Sequence, residues 1–513
     1  MWPELQPCGG FHPLERDGLG QFVWTQGLFR LSRVRAARFA RLALCYNGDG
    51  GVLSVRSHDD LIDRVPLTRG WQVCAVNLGD DLTSAATEFR VTPIVNVPGD
   101  HRELGVMLRE AELFDDDQEY QRLRGVHHNG WLNQVEFLQG AAQLASTPPA
   151  LRINLETRCN IPETSQACVY CAWDWAKLAE RGSPNFAEQT LAELGDFYAH
   201  AWQVNDCSIG EPSMHKEFGA VAARLDADGK LFSLTTNGQL LSPRRRREIV
   251  GRNMDLYVSI DAASAAGFAR YRNDRFDDVI ANLRALCCEK KQHGNLPRVY
   301  ATFIAMRSNV TELPRYFELM RAVGVDKIKL RALYLDDNVA PVVHNNGYRF
   351  DYAAEVLDAQ ELEAVRQQAR RLAAENDLAV HVEWEQFPVE AAGDGTPRCS
   401  EPWRTLYVLR RGIMPCCFAT EPIARWHEQG ARTLAEFVSD VFNGPEFREI
   451  RSALAAGRLA DYCRRTPSCP IVKEAHAKGE IVGFLSEMQS RAASTRALPL
   501  VPLEALAPAR DAA

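Results

Sequence analysis

Between about residue 9 and residue 117 the chain alternates apolar and polar positions in short runs broken by Gly, Asp and Pro. Phe39-Ala40-Arg41-Leu42-Ala43-Leu44 and Gly70-Trp71-Gln72-Val73-Cys74-Ala75-Val76 are examples. A period of two predicts half-buried strands, and a series of them predicts an antiparallel β-sandwich over residues 1–117. A charged helical pattern runs from about Gln118 to Leu144 and stops at Ser146-Thr147-Pro148-Pro149, which gives a connector over 118–148. From Leu151 apolar strands alternate with amphipathic helices, the sign of parallel β/α units. Strands are expected at Leu151–Thr157, Val204–Ile209, Leu231–Thr236, Asp255–Asp261, Arg298–Ala305 and Lys327–Tyr334. One intervening helix carries Leu191, Leu194 and Tyr198 on one face, and another carries Leu313, Phe317 and Met320. The fold class is therefore α/β, with an open, partial (β/α)6 TIM-like barrel over 149–390. A helix near Glu361–Glu375 and a strand near Leu378–Phe387 complete it. Gly393-Asp394-Gly395-Thr396-Pro397 then opens a cysteine-rich part over 391–492, and the Ala- and Pro-rich tail over 493–513 is expected to be disordered.

The chain has 513 residues, too many for one core and enough for about three domains. Its 59 Lys and Arg against 67 Asp and Glu give a net charge of −8, which argues against general nucleic-acid binding. No apolar run approaches the roughly 18 residues of a membrane span, and Met1-Trp2-Pro3-Glu4 lacks a basic and then apolar secretory pattern. A cytoplasmic protein is expected, and in that reducing compartment disulfides do not explain 14 cysteines. Cys8, Cys45, Cys74, Cys207, Cys287 and Cys288 are dispersed. Cys287 follows Phe276, Val279, Ile280 and Leu283 at helical spacing and reads as a small buried hydrophobe. The others form two groups, Cys159/Cys168/Cys171 and Cys399/Cys416/Cys417/Cys463/Cys469, and grouped thiols in a reducing compartment bind metal or do redox chemistry.

The first group directly follows the first barrel strand, where loops at the carboxyl ends of parallel strands build active sites. Three thiolates leave a cubane iron–sulfur cluster one ligand short, so its fourth iron is open to a substrate or cosubstrate. A structural zinc site wants four protein ligands, and no fourth Cys or His is near; His127, His128 and His200 are the closest histidines along the chain.

Thr157-Arg158-Cys159-Asn160 followed by Cys168-Val169-Tyr170-Cys171 resembles the cluster motif of the radical S-adenosylmethionine superfamily, with five additional residues between the first two cysteines. Gly210-Glu211-Pro212 resembles the family's Gly-Gly-Glu-Pro motif, with Ile209 in place of the first Gly. Thr236-Asn237-Gly238, and Ser259-Ile260-Asp261 with Arg272, resemble further family segments at later strand ends. The resemblance implies a 4Fe-4S cluster on Cys159, Cys168 and Cys171, with S-adenosylmethionine on its open iron. It places Tyr170 beside the adenine and Gly210, Glu211 and Pro212 at the methionine amino group. Asn237, Ser259, Asp261 and Arg272 would lie near the ribose and carboxylate. One electron, from a donor such as a flavodoxin or ferredoxin, would cleave the sulfonium to a 5′-deoxyadenosyl radical that abstracts hydrogen from a substrate C–H bond.

Cys399-Ser400-Glu401-Pro402-Trp403, Gly412-Ile413-Met414-Pro415-Cys416-Cys417-Phe418 and Cys463 to Cys469-Pro470 resemble the SPASM/twitch extension of radical enzymes. Ala460 and Lys473 stand where two thiols of a full seven-cysteine SPASM domain are expected. The resemblance therefore implies one twitch-like auxiliary 4Fe-4S cluster on Cys399, Cys417, Cys463 and Cys469. The count from Gly412 favours Cys417, and the Pro-Cys pairing favours Cys416. A four-cysteine zinc site is the alternative.

Gly10-Phe11-His12-Pro13-Leu14-Glu15, Trp24-Thr25, Gly70-Trp71 and Asp100-His101-Arg102-Glu103-Leu104-Gly105 resemble a β-sandwich module attached to some transferases of polysaccharide pathways. That implies a small-molecule or glycan-linked substrate; otherwise Trp24 and Trp71 are sandwich core. Three readings follow: an oxidoreductase-type reaction on a sugar or glycan intermediate, peptide or protein modification, and a non-enzymatic zinc-stabilised binding protein. Asp174, Glu383 and Glu385 are candidate acid/base groups, and no catalytic residue is singled out.

Overall fold

Strict alternation of buried and half-buried residues along Gly51–Ser57 is the period-two pattern read from the sequence, and it recurs through the first 114 residues. The structure, a computed structural model, describes all residues except 1, 3, 18–19, 49, 58–59, 80–85, 96–99, 165–166, 172–187, 209, 334–341, 346, 384–388, 392–396, 420, 467–468, 470 and 473–513. The described residues fall into two compact units, the first ending at Gln139 and the second beginning at Gly140. The proposed tail, the ends of the strands expected at Ile209, Tyr334 and Phe387, and Asp174, Glu385 and Lys473 lie outside the described residues.

The first unit contains β1 (Leu5–Asp17), β2 (Gly20–Arg33), β3 (Phe39–Tyr46), β4 (Gly51–Ser57), β5 (Asp60–Leu67), β6 (Gly70–Asn77), β7 (Ala86–Thr92) and β8 (Met107–Phe114), then a helix at Asp117–Gln139. The expected sandwich is corrected in one respect: the strands form one hydrogen-bonded sheet, β5-β4-β7-β2-β8-β3-β6, with β1 on β2, rather than two. The long β2 makes this possible. Its Leu28–Ser32 part pairs with β7 and its Val23–Trp24 part with β8, and three register shifts along β1 let the ribbon bend. Inward residues such as Phe29, Leu42, Val55, Phe89 and Leu108 share one core. Trp24 is buried with Phe22 and Leu104. Trp71 is not core: it faces outward from edge strand β6 with the Arg109 guanidinium 3.9 Å over its ring.

In the second unit β9 (Ala150–Ile153), β10 (Gln203–Asp206), β11 (Leu231–Thr236), β12 (Met254–Ser259), β13 (Arg298–Ala305) and β14 (Lys327–Ala332) lie parallel and in sequence order. After a hairpin of β15 (Val342–Asn345) and β16 (Tyr348–Asp351), β17 (Ala379–Val382) adds to β14. The short pair β18 (Val389–Ala391) and β19 (Pro397–Cys399) leads to β20 (Thr405–Leu409) and β21 (Gly412–Met414). The sixfold expectation is exceeded, because β20 pairs parallel with β9 and β21 pairs antiparallel with β20, making a sheet of nine strands. Without β20, β9 would present an unpaired edge.

One face of this sheet is apolar, with Leu151, Phe232, Leu256, Phe303 and Leu330 buried; Phe303 packs 4.8 Å from Tyr316 of the helix Leu313–Val323. That helix buries Leu313, Phe317 and Met320, and the helix Phe276–Glu289 buries Val279, Ile280, Leu283 and Cys287. Leu191, Leu194 and Tyr198 are buried too, but Leu191 and Tyr198 sit on separate short helices, Glu188–Glu193 and Asp196–Ala199, with Leu194 and Gly195 (φ 54°) in the turn between them. The other face carries Arg152, Asn205, Tyr257, Tyr300 and Lys329 on neighbouring strands. Arg152 on β9 acts on the Lys329 ammonium of β14, five strands away, where a flat sheet would separate them by about 24 Å. The sheet therefore curls with its polar face inside.

None of the 14 cysteines is in a disulfide. Among the described residues no helix is long and apolar enough to cross a membrane.

Candidate functional site

The loops after β9, β10, β11 and β12 meet at the carboxyl end of the sheet, held by backbone contacts that only particular residues allow. A Cβ on Gly210 would lie 2.5 Å from the Arg158 carbonyl oxygen and 2.6 Å from that of Glu156, so glycine lets the β10 loop rest against the cysteine loop. The Glu211 N–H then donates to the Arg158 carbonyl at 2.8 Å. Gly210→Ala is expected to cost about 1–3 kcal/mol through overpacking, read as a lower urea midpoint. An unchanged midpoint would mean the loops do not meet this closely.

Glu211 is fully enclosed, and its carboxylate accepts from the Ser213 N–H at 3.2 Å, Thr236 Oγ1 at 2.6 Å and the Asn237 N–H at 2.7 Å. It thereby ties the β10 loop to the end of β11, while burial raises its pKa. Pro212 opens a single turn, Pro212–Met214. The Asn237 side chain donates to Asn160 at 2.8 Å and lies 3.8 Å from Cys159 Sγ. Burial pushes the Cys159 thiol up to about 12, with Glu211 and Cys168 adding to the rise.

Cys168 has the Arg272 guanidinium 3.8 Å from its sulfur and accepts the Cys171 N–H at its carbonyl at 3.0 Å. Between those cysteines, Tyr170 donates its hydroxyl to Asp261 at 2.5 Å. Asp261 has no exposed surface. The same oxygen accepts from Arg272 Nε at 3.1 Å and Nη2 at 2.6 Å, and the other accepts the Ile304 N–H at 2.7 Å. Burial alone would lower the Arg272 pKa, but Tyr170, Asp261 and Cys168 more than offset it, so the guanidinium is held charged beside the Cys168 sulfur. With its oxygens occupied inside the chain, Asp261 positions Tyr170 and Arg272. Ser259 ends β12 opposite Thr302 of β13. Gln239 and Asn273 extend this network beyond the residues read from the sequence: Asn160 donates to Gln239 at 3.0 Å, and Gln239 to Asn273 at 2.9 Å. Gln239, directly after Thr236-Asn237-Gly238, was the available signal.

Among the described residues no three His, Cys, Asp or Glu side chains converge as ligands of a single metal ion. A cubane binds each thiolate to a different iron, so its sulfurs stand farther apart, and N–H groups near the sulfurs suit thiolate ligands. Cys159, Cys168 and Cys171 fit such a cluster on these grounds.

The second thiol group gathers at one cleft. Cys399 ends β19, and Gly412 begins β21 with φ at 138° and the Ala424 carbonyl oxygen where a Cβ would stand. That turn delivers Cys416 and Cys417, and Cys463 sits on the short helix Asp461–Arg464, preceded by Ala460. Cys399, Cys416, Cys417, Cys463 and Cys469 all line one cleft beside Glu401. Burial pushes the Cys416 and Cys463 thiols up to about 12. Of the acid/base candidates, Glu383 is paired with Arg331 at 2.5 Å and with Lys329 at 3.7 Å.

No family model matches the chain. Over 184 residues it is 27% identical to the Fe-coproporphyrin III synthase of Methanosarcina barkeri, a match covering 35% of this chain and 43% of that protein. Over 189 residues it is 28% identical to the pre-heme d1 synthase of Dinoroseobacter shibae, covering 36% and 43%. The chain thus spans less than half the length of these curated relatives. Among solved structures it is similar to Streptococcus suis SuiB bound to S-adenosylmethionine, at 13% identity over 74% of this chain and 81% of that one, with a TM-score of 0.46. It is also similar to anSMEcpe with bound AdoMet and a Cp18Cys peptide, at 14% identity over 67% and 96%, with a TM-score of 0.40.

Proposed function

We propose that this chain is a radical S-adenosylmethionine enzyme acting on a polar small-molecule substrate. The observation that carries the proposal is the three-cysteine loop at the carboxyl end of β9, with Asn237 and Arg272 nitrogens 3.8 Å from two of its sulfurs. A four-iron cluster on Cys159, Cys168 and Cys171 would, when bound, pass one electron to S-adenosylmethionine and so provide a 5′-deoxyadenosyl radical for hydrogen abstraction. The chain's own part is positioning and exclusion of water. Gly210 admits close backbone approach, Glu211 locks the β10 loop onto β11, and Asp261 fixes Arg272 and Tyr170 beside Cys168. Val169, Tyr271, Met306 and Phe350 form an apolar cluster against Tyr170, keeping water from that side.

A sugar- or glycan-type intermediate is the substrate reading we favour, supported by the polar inner face of the second unit's sheet and by the eight-stranded sheet of the first unit. In this reading Cys399, Cys417, Cys463 and Cys469 hold one auxiliary cluster that accepts the substrate radical's electron, with Cys416 competing for the place of Cys417. An external one-electron donor, such as a flavodoxin or ferredoxin, supplies the site. Reduced, reconstituted chain given S-adenosylmethionine should release 5′-deoxyadenosine. Iron analysis tests the second site: about eight irons per chain are expected, falling to about four in Cys399→Ala. Zinc at that site without iron would remove its redox role.

A further inference from the structure

A net-acidic chain that turns a cationic face inward has to balance that charge, and this sheet does so incompletely. Alternation places Arg152, Arg298, Lys327, Lys329 and Arg331 on the inner face, along with the carboxylates Asp255 and Glu383, and Glu401, bonded to Tyr407 opposite Arg152, is the carboxylate that acts on Arg152. Arg298 holds Asp255 at 2.5 Å. Arg331 holds Glu383 at 2.5 Å, leaving Lys329 only the longer 3.7 Å approach to the same carboxylate. Buried charge without a close partner is costly, and it is retained where something else supplies the counter-charge.

Among the described residues, three polar atoms on this face are buried without a hydrogen-bond partner: Arg152 Nε, Asn205 Nδ2 and Thr302 Oγ1. Asn205 is 4% exposed and Thr302 3%. Register pairs Asn205 with Arg152, and Thr302 with Lys329, so each orphan neighbours one of the two cations. Buried donors and acceptors are almost always satisfied, and three orphans on one inner face mark a place where a ligand completes them. Tyr257, with its ring 4.6 Å from the Lys329 ammonium and stacked on Tyr300 at 4.7 Å, adds an aromatic wall.

We infer that the substrate carries an anionic group, a carboxylate or a phosphoryl group, held by Arg152 and Lys329 on the inner face of the barrel sheet and hydrogen-bonded by Asn205 and Thr302. The inference rests on the radical-enzyme reading for what is done to that substrate, but not for its binding. It makes the sugar-type intermediate an acidic one.

Calorimetric titration of the full chain, with S-adenosylmethionine present and ionic strength fixed, tests this with two probes: pyrophosphate for the phosphoryl form and tricarballylate for the carboxylate form. At least one should bind saturably at one site, and the tighter one identifies the anion. Arg152→Gln and Lys329→Met should each weaken binding about tenfold or more, and Lys329→Arg should retain it. Circular dichroism confirms that the variants fold, and Thr302→Val gives a smaller loss that leaves charge unchanged. Absence of saturable binding by both probes, unchanged affinity in the folded variants, or saturable binding of neutral maltose that neither anion displaces would overturn the inference. Deoxyadenosine release by the unaltered chain is scored separately. Release without anion binding defeats this inference alone, whereas anion binding without release defeats the radical reading and leaves the anion site standing.

Discussion

Replacing Cys159, Cys168 and Cys171 together by alanine should abolish 5′-deoxyadenosine formation and remove the iron of one cluster, leaving about four irons on the second thiol group. Each single replacement should have nearly the same effect, because three ligands act as a unit and the loss of one leaves a second iron without a protein thiolate. The expectation follows from position. The loop sits at the carboxyl end of β9, and two of its sulfurs lie 3.8 Å from N–H donors of Asn237, just after β11, and Arg272, at the end of the helix Ala265–Tyr271 that follows β12. Mass-spectrometric detection of deoxyadenosine in the triple variant, at a rate comparable with the unaltered chain, would sink the assignment of these thiols.

The second large effect concerns stability. Asp261→Ala leaves the Arg272 guanidinium buried, only 7% of its side chain exposed, with neither the 2.6 Å nor the 3.1 Å bond to carboxylate. Removing one member of a buried pair typically costs about 3–5 kcal/mol, since the remaining charge is uncompensated. Urea unfolding of the second unit should register that loss, and deoxyadenosine formation should fall with it as Tyr170 loses its anchor. Asp261→Asn should be milder, because the amide oxygen can still accept from Arg272, although the amide NH2 then faces the Ile304 N–H and that bond is lost. A midpoint unmoved in Asp261→Ala would show that the pair does not hold the loop.

Much of the second unit was legible from the strand and helix periodicity, because each β/α repeat buries an apolar face locally. β11 and β13 have the bounds read from the sequence, and Cys287 lies where helical spacing puts a buried residue. Legibility failed where partners are distant along the chain. Thr405–Leu409 is an apolar run inside a cysteine-rich segment, and nothing local says that it pairs with Ala150–Ile153. The bend in β2 that makes one sheet of the expected two layers depends on register shifts against β1, which composition does not reveal. Trp71 reads as core by residue type, but its strand sits at the sheet edge with that side chain outward.

The site divides in the same way. The cysteines, Glu211, Asn237 and Asp261 stand out in the sequence as residue types at strand ends, and Arg272 through the family segment it resembles. Their internal tasks do not, because a carboxylate that accepts a neighbour's N–H looks the same in a sequence as one that waits for a ligand. Glu211 and Asp261 both turn out to be tied within the chain. Conversely, the cationic inner face is written in the alternation Lys327-Ile328-Lys329-Leu330-Arg331, where every second residue is basic.

The most direct test of the central claim is deoxyadenosine release by the full chain, reconstituted anaerobically with iron and sulfide, reduced with dithionite and given S-adenosylmethionine. Deoxyadenosine should accumulate in proportion to the iron bound at Cys159, Cys168 and Cys171. Fully iron-loaded protein that releases none, or protein that takes up only zinc, would contradict it.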